Sequence, residues 1–120
     1  MTRLLIVDDE ADCAFVTALT LEHDGYEIDT VSNPAKALEV FTQQNYDLVL
    51  LDVRMPRLDG FTLYEKMYKI NKDVKVRFFS AVDIDTKKVI KERFPHLNEA
   101  CFIKKPATQK EIRAKIKSAI

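Results

Sequence analysis

DLVLLDVRMP, residues 47–56, is the stretch that decides the fold of this chain. Residues 48–51 within it are leucine or valine at every position, which is typical of a strand buried on both faces of a parallel sheet. On either side of this stretch, strand-like runs alternate with segments of helical periodicity. Five such repeats predict an α/β fold, in which right-handed crossovers build a doubly wound sheet of five parallel strands flanked by five helices.

Turn and capping residues set the limits of the predicted elements. Gly25 stands where a left-handed helix cap is needed, and Asn33 with Pro34 supplies a cap and a first-turn residue for the second helix. The predicted strands cover residues 4–7, 27–31, 47–51, 74–79 and 100–103, and the predicted helices cover residues 11–24, 34–44, 61–70, 85–93 and 108 onward. Helical spacing predicts an apolar face on the first helix at Ala14, Phe15, Ala18, Leu19 and Leu21. A single domain, residues 1–120, is expected.

Charged residues follow three of these strands. Asp8 and Asp9 come after the first strand, Asp52 after the third and Lys105 after the fifth. The ligand crevice of an open α/β sheet lies outside the carboxyl ends of its strands, so these side chains are expected to converge. At ~4 Å and an effective dielectric of about 20, each pair of carboxylates repels by on the order of 4 kcal/mol. A cation is therefore expected, and Mg²⁺ fits because it binds oxygen ligands from one or two carboxylates and a phosphate.

Asp52 is the strongest candidate nucleophile. A carboxylate beside a metal ion and a lysine can attack an activated phosphoryl group and become an aspartyl phosphate. Asp8 or Asp9 alone could instead cap the first helix, but two acids in succession at the end of a buried strand favour a binding site. A charge at the end of a central strand is costly unless it is paired, which disfavours a purely structural role for Asp52. Side chains alternate in direction along a strand, so Lys105, two residues after Ile103, is expected to point inward.

In their order and spacing these residues resemble the receiver domain of two-component response regulators, a chemotaxis-receiver-like domain of flavodoxin-like fold with strand order 2-1-3-4-5. The resemblance runs nearly the whole length of the chain. It implies that Asp52 is the phosphoacceptor and that Mg²⁺, or Mn²⁺ as the alternative ion, is bound by Asp9, Asp8, Asp52 and the backbone carbonyl of Arg54. It also implies that Ser80, Ala81 and Lys105 bind the phosphoryl group and that Ser80 and Phe102 form a switch. Gly60 would close the loop after the third predicted strand, and the bond before Pro106 would be cis.

Two departures from the family pattern lie before the last strand. Asn98 stands where the family usually has glycine, and asparagine is the next most tolerant residue for a left-handed cap. The segment 80–98 is a few residues longer than usual and includes Phe-Pro-His-Leu at 94–97, which indicates an altered end of the fourth helix. His23 and His96 are expected to be surface residues without a catalytic or metal-binding role.

Composition agrees with a cytoplasmic protein. Cys13 and Cys101 have neither a disulfide framework nor metal-ligand spacing, and no apolar stretch approaches a membrane span. Residues 1–60 hold 4 basic and 12 acidic side chains, a net charge of −8, whereas residues 61–120 hold 15 and 7, a net charge of +8. The expected basic flank consists of Lys87, Lys88, Lys91 and Arg93 on the fourth helix and Lys110, Arg113, Lys115 and Lys117 on the last helix. The alternative is a solvated lysine-rich surface without a binding role, because charge-rich helix faces are common.

The resemblance implies that Asp52 accepts a phosphoryl group from the phosphohistidine of a sensor histidine kinase or a histidine phosphotransfer protein. The chain would catalyse only its own phosphorylation and dephosphorylation, so it would not be an enzyme acting on a separate substrate. The alternative is a degenerate receiver that docks or dimerises without phosphorylation. An aspartyl phosphatase is disfavoured because Arg54 occupies the position where such enzymes carry a second acid. Output is expected through a fused domain or through self-association by the basic flank, without direct nucleic-acid binding.

Overall fold

The computed structural model describes residues 2–55, 58–81 and 83–120 of the chain. Its strands are β1 (Arg3–Val7), β2 (Glu27–Val31), β3 (Leu48–Asp52), β4 (Val76–Ser80) and β5 (Phe102–Lys104). Its helices are α1 (Ala11–Glu22), α2 (Pro34–Gln43), α3 (Gly60–Ile70), α4 (Thr86–Glu92) and α5 (Gln109–Lys117), with a short 3-10 helix (Glu99–Cys101) before β5. All paired strands are parallel, in the order β2-β1-β3-β4-β5, which confirms the predicted fold class and topology.

Side-chain alternation along the central strands divides the core into two layers. Leu5 and Val7 of β1 join the layer under α2 and α3, whereas Leu4 and Ile6 join the layer under α1 and α5. Every residue of β3 and β4 is buried. Helices therefore cover both faces of the sheet, which is the physical reason that its central strands are mostly apolar.

Local capping chemistry fixes the helix ends much as the sequence predicts. The side chain of Asn33 accepts hydrogen bonds from the first-turn amides of α2, and the side chain of Asp59 accepts one from the amide of Thr62 in α3. Thr108 caps α5 in the same way. Gly25 has φ of +87°, the left-handed conformation that glycine adopts without a steric cost.

The apolar face predicted for α1 is partly wrong. Ala14, Ala18 and Leu21 are buried, but Phe15 is 62% exposed and Leu19 is 52% exposed. The buried face of α1 is narrower than the predicted apolar face. Small alanines let the helix approach the sheet closely, and Thr17 fills an adjacent buried position. An apolar patch on α1 is left facing solvent.

Strand ends differ from the sequence prediction on the carboxyl side of the sheet. Asp52 is the last residue of β3 rather than the residue after it, and β5 begins at Phe102 because Cys101 lies in the 3-10 helix. The left-handed conformation expected at Asn98 is wrong. This residue is extended, with φ of −128°, and its side chain accepts a hydrogen bond from the amide of Ala100, capping the 3-10 helix.

The segment after α4 is held against α3 by aromatic contacts. His96 is exposed, as expected, but its Nε2 lies 2.7 Å from the hydroxyl oxygen of the fully buried Tyr64. Its ring stacks on Tyr68 with centroids 4.5 Å apart. The guanidinium of Arg93 lies over the Phe94 ring and pairs with Glu65. The longer α4–β5 connection is thus packed into the fold.

Arg77 of β4 is a buried cation that holds the end of α5. Its Nε donates to the carbonyl oxygen of Lys115 at 3.0 Å, and its terminal nitrogens donate to the hydroxyl of Ser118 and the sulfur of Cys101, both at 3.3 Å. The carbonyl groups at a helix C-terminus carry partial negative charge, which favours a cation there. Among the described residues, no helix is long and apolar enough to cross a membrane.

Candidate functional site

The acidic residues singled out in the sequence meet at the carboxyl edge of the sheet. One carboxylate oxygen from each of Asp8, Asp9 and Asp52 lies within 4.8 Å of the other two. The Lys105 Nζ lies 3.0 Å from the Asp8 Oδ2 and 3.8 Å from the Asp52 Oδ2. The predicted convergence of three acids and one lysine is therefore present in the structure.

The acids differ in burial and in the groups that orient them. Asp8 is 4% and Asp52 is 6% exposed, whereas Asp9 faces solvent. The backbone amide of Glu10 donates to the Asp8 Oδ1 at 3.0 Å, and that of Arg54 donates to the Asp52 Oδ1 at 3.3 Å. Each buried carboxylate thus has one oxygen oriented by a backbone amide and the other directed toward Lys105.

Burial raises the pKa of Asp52 from its ordinary value of 3.8 to about 7; the charge of Lys105 opposes this rise and the charge of Asp8 adds to it. For Lys105, burial lowers the pKa, but the hydrogen bond that the ammonium group donates to Asp8 and the charges of Asp8 and Asp52 outweigh this effect, and the net pKa is raised. The Lys105 ammonium is therefore charged at neutral pH, while the negative charge on Asp52 is poorly stabilised. An added cation would stabilise that charge.

The start of α3 packs directly against the backbone of Asp52. The amide of Gly60 donates to the carbonyl oxygen of Val53 at 2.8 Å. A Cβ atom on Gly60 would lie 2.3 Å from the carbonyl oxygen of Asp52. Glycine is required here because the start of α3 approaches the backbone at the end of β3 so closely.

The remaining predicted site residues border the same crevice. Ala81 lines a cavity together with Asp52 and Lys105. Ser80 is buried at the end of β4, and its carbonyl oxygen accepts a hydrogen bond of 2.7 Å from the amide of Lys105. The peptide bond between Lys105 and Pro106 is cis, as the resemblance implies. The position of Arg54 beside Asp52 is consistent with the predicted role of its backbone carbonyl, which stays a prediction.

The predicted switch residue lies on the opposite face of the sheet from Lys105. The Phe102 ring is partly buried, with its centroid 5.4 Å from that of Phe78 and 6.3 Å from that of Phe61. The structure thus has this ring packed against the core layer under α3.

The predicted basic flank carries less uncompensated positive charge than expected, because two of its arginines are paired with acids. Arg93 is engaged by Glu65, and Arg113 of α5 forms two hydrogen bonds of 2.6 and 3.1 Å from its guanidinium to the Asp24 Oδ1. The lysines of α4 at 87, 88 and 91, and those of α5 at 110 and 117, are exposed.

Phe79 is a site residue that the sequence analysis did not identify. The Lys105 Nζ lies over its ring, 4.9 Å from the centroid. The signal was available, because an aromatic residue directly before Ser80, in a strand beside β3, points to the same face of the sheet as Asp52.

The donor set fits a hard divalent cation. Three clustered carboxylates match the oxygen preference of Mg²⁺, and the lysine beside them suits an anionic group bound at the same place. Fold and site together define a doubly wound domain whose crevice, at the carboxyl ends of the central strands, suits a cation and a phosphate-like anion.

Comparisons with known proteins agree with this class. The family model described as the response regulator receiver domain matches residues 4–117. A probable transcriptional regulator, ycf27, of Cyanidium caldarium is 32% identical over 98% of this chain and 46% of its own length. The CpxR homolog of Haemophilus influenzae, a transcriptional regulatory protein, is 31% identical over the whole chain and 51% of its own length. The chain thus spans about half the length of the curated relatives it matches.

Solved structures show the same architecture. The receiver domain protein of Clostridium thermocellum superimposes with a TM-score of 0.86 at 27% identity, covering all of this chain and 94% of that one. The response regulator TrrA of Thermotoga maritima, solved in complex with Mg²⁺ and beryllium fluoride, gives a TM-score of 0.83 at 30% identity over the full length of both chains. This chain belongs to the response regulator receiver family of two-component systems.

Proposed function

We propose that this domain accepts a phosphoryl group on Asp52 from the phosphohistidine of a sensor histidine kinase or a histidine phosphotransfer protein, in the presence of Mg²⁺. The observation that carries the proposal is the position of the Asp52 carboxylate. It lies buried at the end of the central strand, with the Lys105 ammonium 3.8 Å away and two further acids around it.

The acids would hold the metal ion. Asp9 is the exposed ligand, Asp8 and Asp52 are the buried ones, and the backbone carbonyl of Arg54 would complete the set. When bound, Mg²⁺ would neutralise the charges of the carboxylates and of the phosphoryl oxygens. Mn²⁺ would be the alternative ion.

The side chains of this domain would carry out the transfer. An Asp52 carboxylate oxygen forms a bond to phosphorus as the phosphorus–nitrogen bond of the phosphohistidine breaks, and the released imidazole keeps the electron pair. Lys105, the Ser80 hydroxyl and the Ala81 amide would bind the phosphoryl oxygens. Movement of Ser80 toward the phosphoryl group would allow Phe102 to change rotamer, which is the switch.

The exposed patch on α1 is suited to contact the phosphoryl donor. Phe15, Val16 and Leu19 are each more than half exposed. Val16 also lines the cavity that contains Asp52 and Lys105. A partner that brings its histidine to Asp52 through this cavity would therefore cover the patch, and burying apolar surface of this kind stabilises a complex.

Output would follow from repacking of the face formed by α4, β5 and α5. Phe102 lies in β5 and lines one crevice with Thr86 of α4 and another with Ala114 and Lys115 of α5. We propose that phosphorylation changes the affinity of the face for a second copy of the chain or for an output domain. The −8 charge of residues 1–60 would repel nucleic acid, so we expect no direct contact with it.

Intact-mass spectrometry after incubation with Mg²⁺ and acetyl phosphate tests the proposal. We expect one added phosphoryl group, its loss in Asp52→Asn, and its retention in Asp73→Asn, a control at an exposed acid in the loop before β4. Phosphate release should not exceed the slow hydrolysis of the labelled protein, as expected for a domain that is not an enzyme. Absence of labelling would favour the degenerate receiver, and labelling of Asp52→Asn would refute the assignment.

A further inference from the structure

Phe79 places an aromatic ring against the lysine of the site. The Lys105 Nζ lies 4.9 Å from the centroid of the Phe79 ring, and the lysine side chain is only 14% exposed. Ring and ammonium are therefore in contact at a mostly buried position on the wall of the crevice. An ammonium group over an aromatic face is attracted by the negative charge of the ring face, and this attraction grows as water is excluded.

The strand register explains why this residue lies under the lysine. Phe79 is aligned with Asp52 of β3 and with Ile103 of β5. Aligned residues of parallel strands point to the same face of the sheet, and Lys105 follows Ile103 by two residues. Phe79 belongs to the core layer under α1 and α5. The adjacent Phe78 points the other way, to the layer under α3.

We propose that Phe79 is a positioning residue for phosphoryl transfer, because its ring face holds the Lys105 ammonium beside Asp52. This inference rests on the proposed function and adds a residue to it. The lysine has three N–H donors, of which one is given to Asp8 at 3.0 Å. The ring attracts the cation without accepting those hydrogen bonds in the ordinary way, so the other donors remain for Asp52 and for phosphoryl oxygens.

Asp8 already holds the ammonium group by a hydrogen bond of 3.0 Å, and the Phe79 ring supplies a second attraction from another side. An aliphatic side chain at position 79 would fill space but would not attract a cation. The lysine would then be held by the Asp8 hydrogen bond alone, so it would move more freely toward solvent and would have to return for each transfer. Pre-arranged charge accelerates reactions because no reorganisation is needed at the moment of reaction.

The test replaces Phe79 with phenylalanine analogues carrying one, two or three ring fluorines, which weaken the negative ring face with little change in size. Labelling rates of Asp52 are measured with Mg²⁺ and acetyl phosphate. We expect the rate to fall stepwise with each fluorine, by about three- to tenfold in total, the range that a cation–ring attraction supports. The same analogues at Phe78 are the matched control and should leave the rate unchanged.

A second measurement tests the contact itself without any chemistry. Protons on the Lys105 carbon next to the nitrogen should be shifted upfield by the ring current, and Phe79→Leu should abolish the shift while Phe78→Leu preserves it. A labelling rate that does not change when Phe79 is fluorinated would overturn the inference, and so would Lys105 protons at their ordinary chemical shift. Normal labelling of the unmodified protein would still support the proposed function. If the unmodified protein is not labelled, both fail together.

Discussion

Replacement of Asp52 by asparagine is expected to make the metal-free protein more stable. The structure places the Asp52 carboxylate next to Asp8, with Lys105 closer to Asp8 than to Asp52. The pKa of Asp52 is raised to about 7, chiefly by burial, so the surroundings disfavour its charged form at neutral pH even though a lysine is nearby. Asparagine has a similar shape and no charge, so the substitution should relieve this cost.

The magnitude follows from the pKa. A rise from 3.8 to about 7 corresponds to at most about 4 kcal/mol of stability lost when the group ionises. Solvent in the open crevice screens the carboxylates, which lowers this cost. The hydrogen bond that the Arg54 amide donates at this position is weaker to a neutral asparagine oxygen than to a carboxylate, so part of the gain in stability is lost. We therefore expect Asp52→Asn to raise the free energy of unfolding by about 1–2 kcal/mol.

The sign of the pH dependence is fixed by the direction of the shift. A carboxyl group whose folded pKa lies above its unfolded pKa binds protons more tightly in the native state, so native stability falls as pH rises between the two values. The wild-type protein should lose stability from about pH 4 to about pH 7, and Asp52→Asn should lack this loss. The gap between the two proteins should thus be largest at and above pH 7.

Urea unfolding in chelator, followed by circular dichroism across this pH range, measures the effect. Asp73→Asn is the control, because it removes an equal charge from an exposed loop. Unfolding curves of Asp52→Asn and wild type that coincide at neutral pH would refute the reasoning. So would a gap that widens toward acid, because the carboxylate would then be stabilised by its surroundings.

The remaining predictions concern the metal, the backbone contact, the buried arginine and the output face. At ten times its dissociation constant, Mg²⁺ should stabilise wild type by ~1.4 kcal/mol through mass action, with a smaller effect on Asp52→Asn; equal melting shifts would contradict the acidic site. Gly60→Ala should destabilise the fold by about 1–3 kcal/mol in calorimetry, because its Cβ would meet the Asp52 carbonyl. Arg77→Met should lower stability by about 1–3 kcal/mol and selectively reduce hydrogen-exchange protection of α5. Beryllofluoride with Mg²⁺ should induce salt-sensitive association in sedimentation, weakened by Phe102→Ala; unchanged monomers would leave a heterologous partner.

The fold could be predicted from short-range patterns because burial on both faces leaves a clear trace in this chain. The apolar run at residues 48–51 predicts a central strand, and Asn33 with Pro34 marks the start of α2; the structure has both. The exposed Phe15 and Leu19 could not be foreseen, since helical spacing alone does not show which of two overlapping stripes faces the sheet. Similarly, the extended Asn98 depends on a cap that forms only once the 3-10 helix exists.

The site was predictable to the level of which residues meet, because charges that end parallel strands share one edge. Their pairing was not predictable. The sequence does not show that Lys105 lies nearer to Asp8 than to Asp52, nor that a ring supports it, since these depend on ångström-scale differences between strand ends. His96 likewise pairs with Tyr64 across 32 positions of sequence, without any local pattern to indicate it.

The two adjacent phenylalanines of β4 divide labour between the faces of one strand. Phe79 lies with the chemistry of Lys105, and Phe78 lies against the Phe102 ring. Neighbouring codons should therefore yield opposite genetic phenotypes. Changes at position 79 would give proteins that are phosphorylated slowly but signal normally once phosphorylated. Changes at position 78 would give proteins that are phosphorylated at the usual rate but signal abnormally.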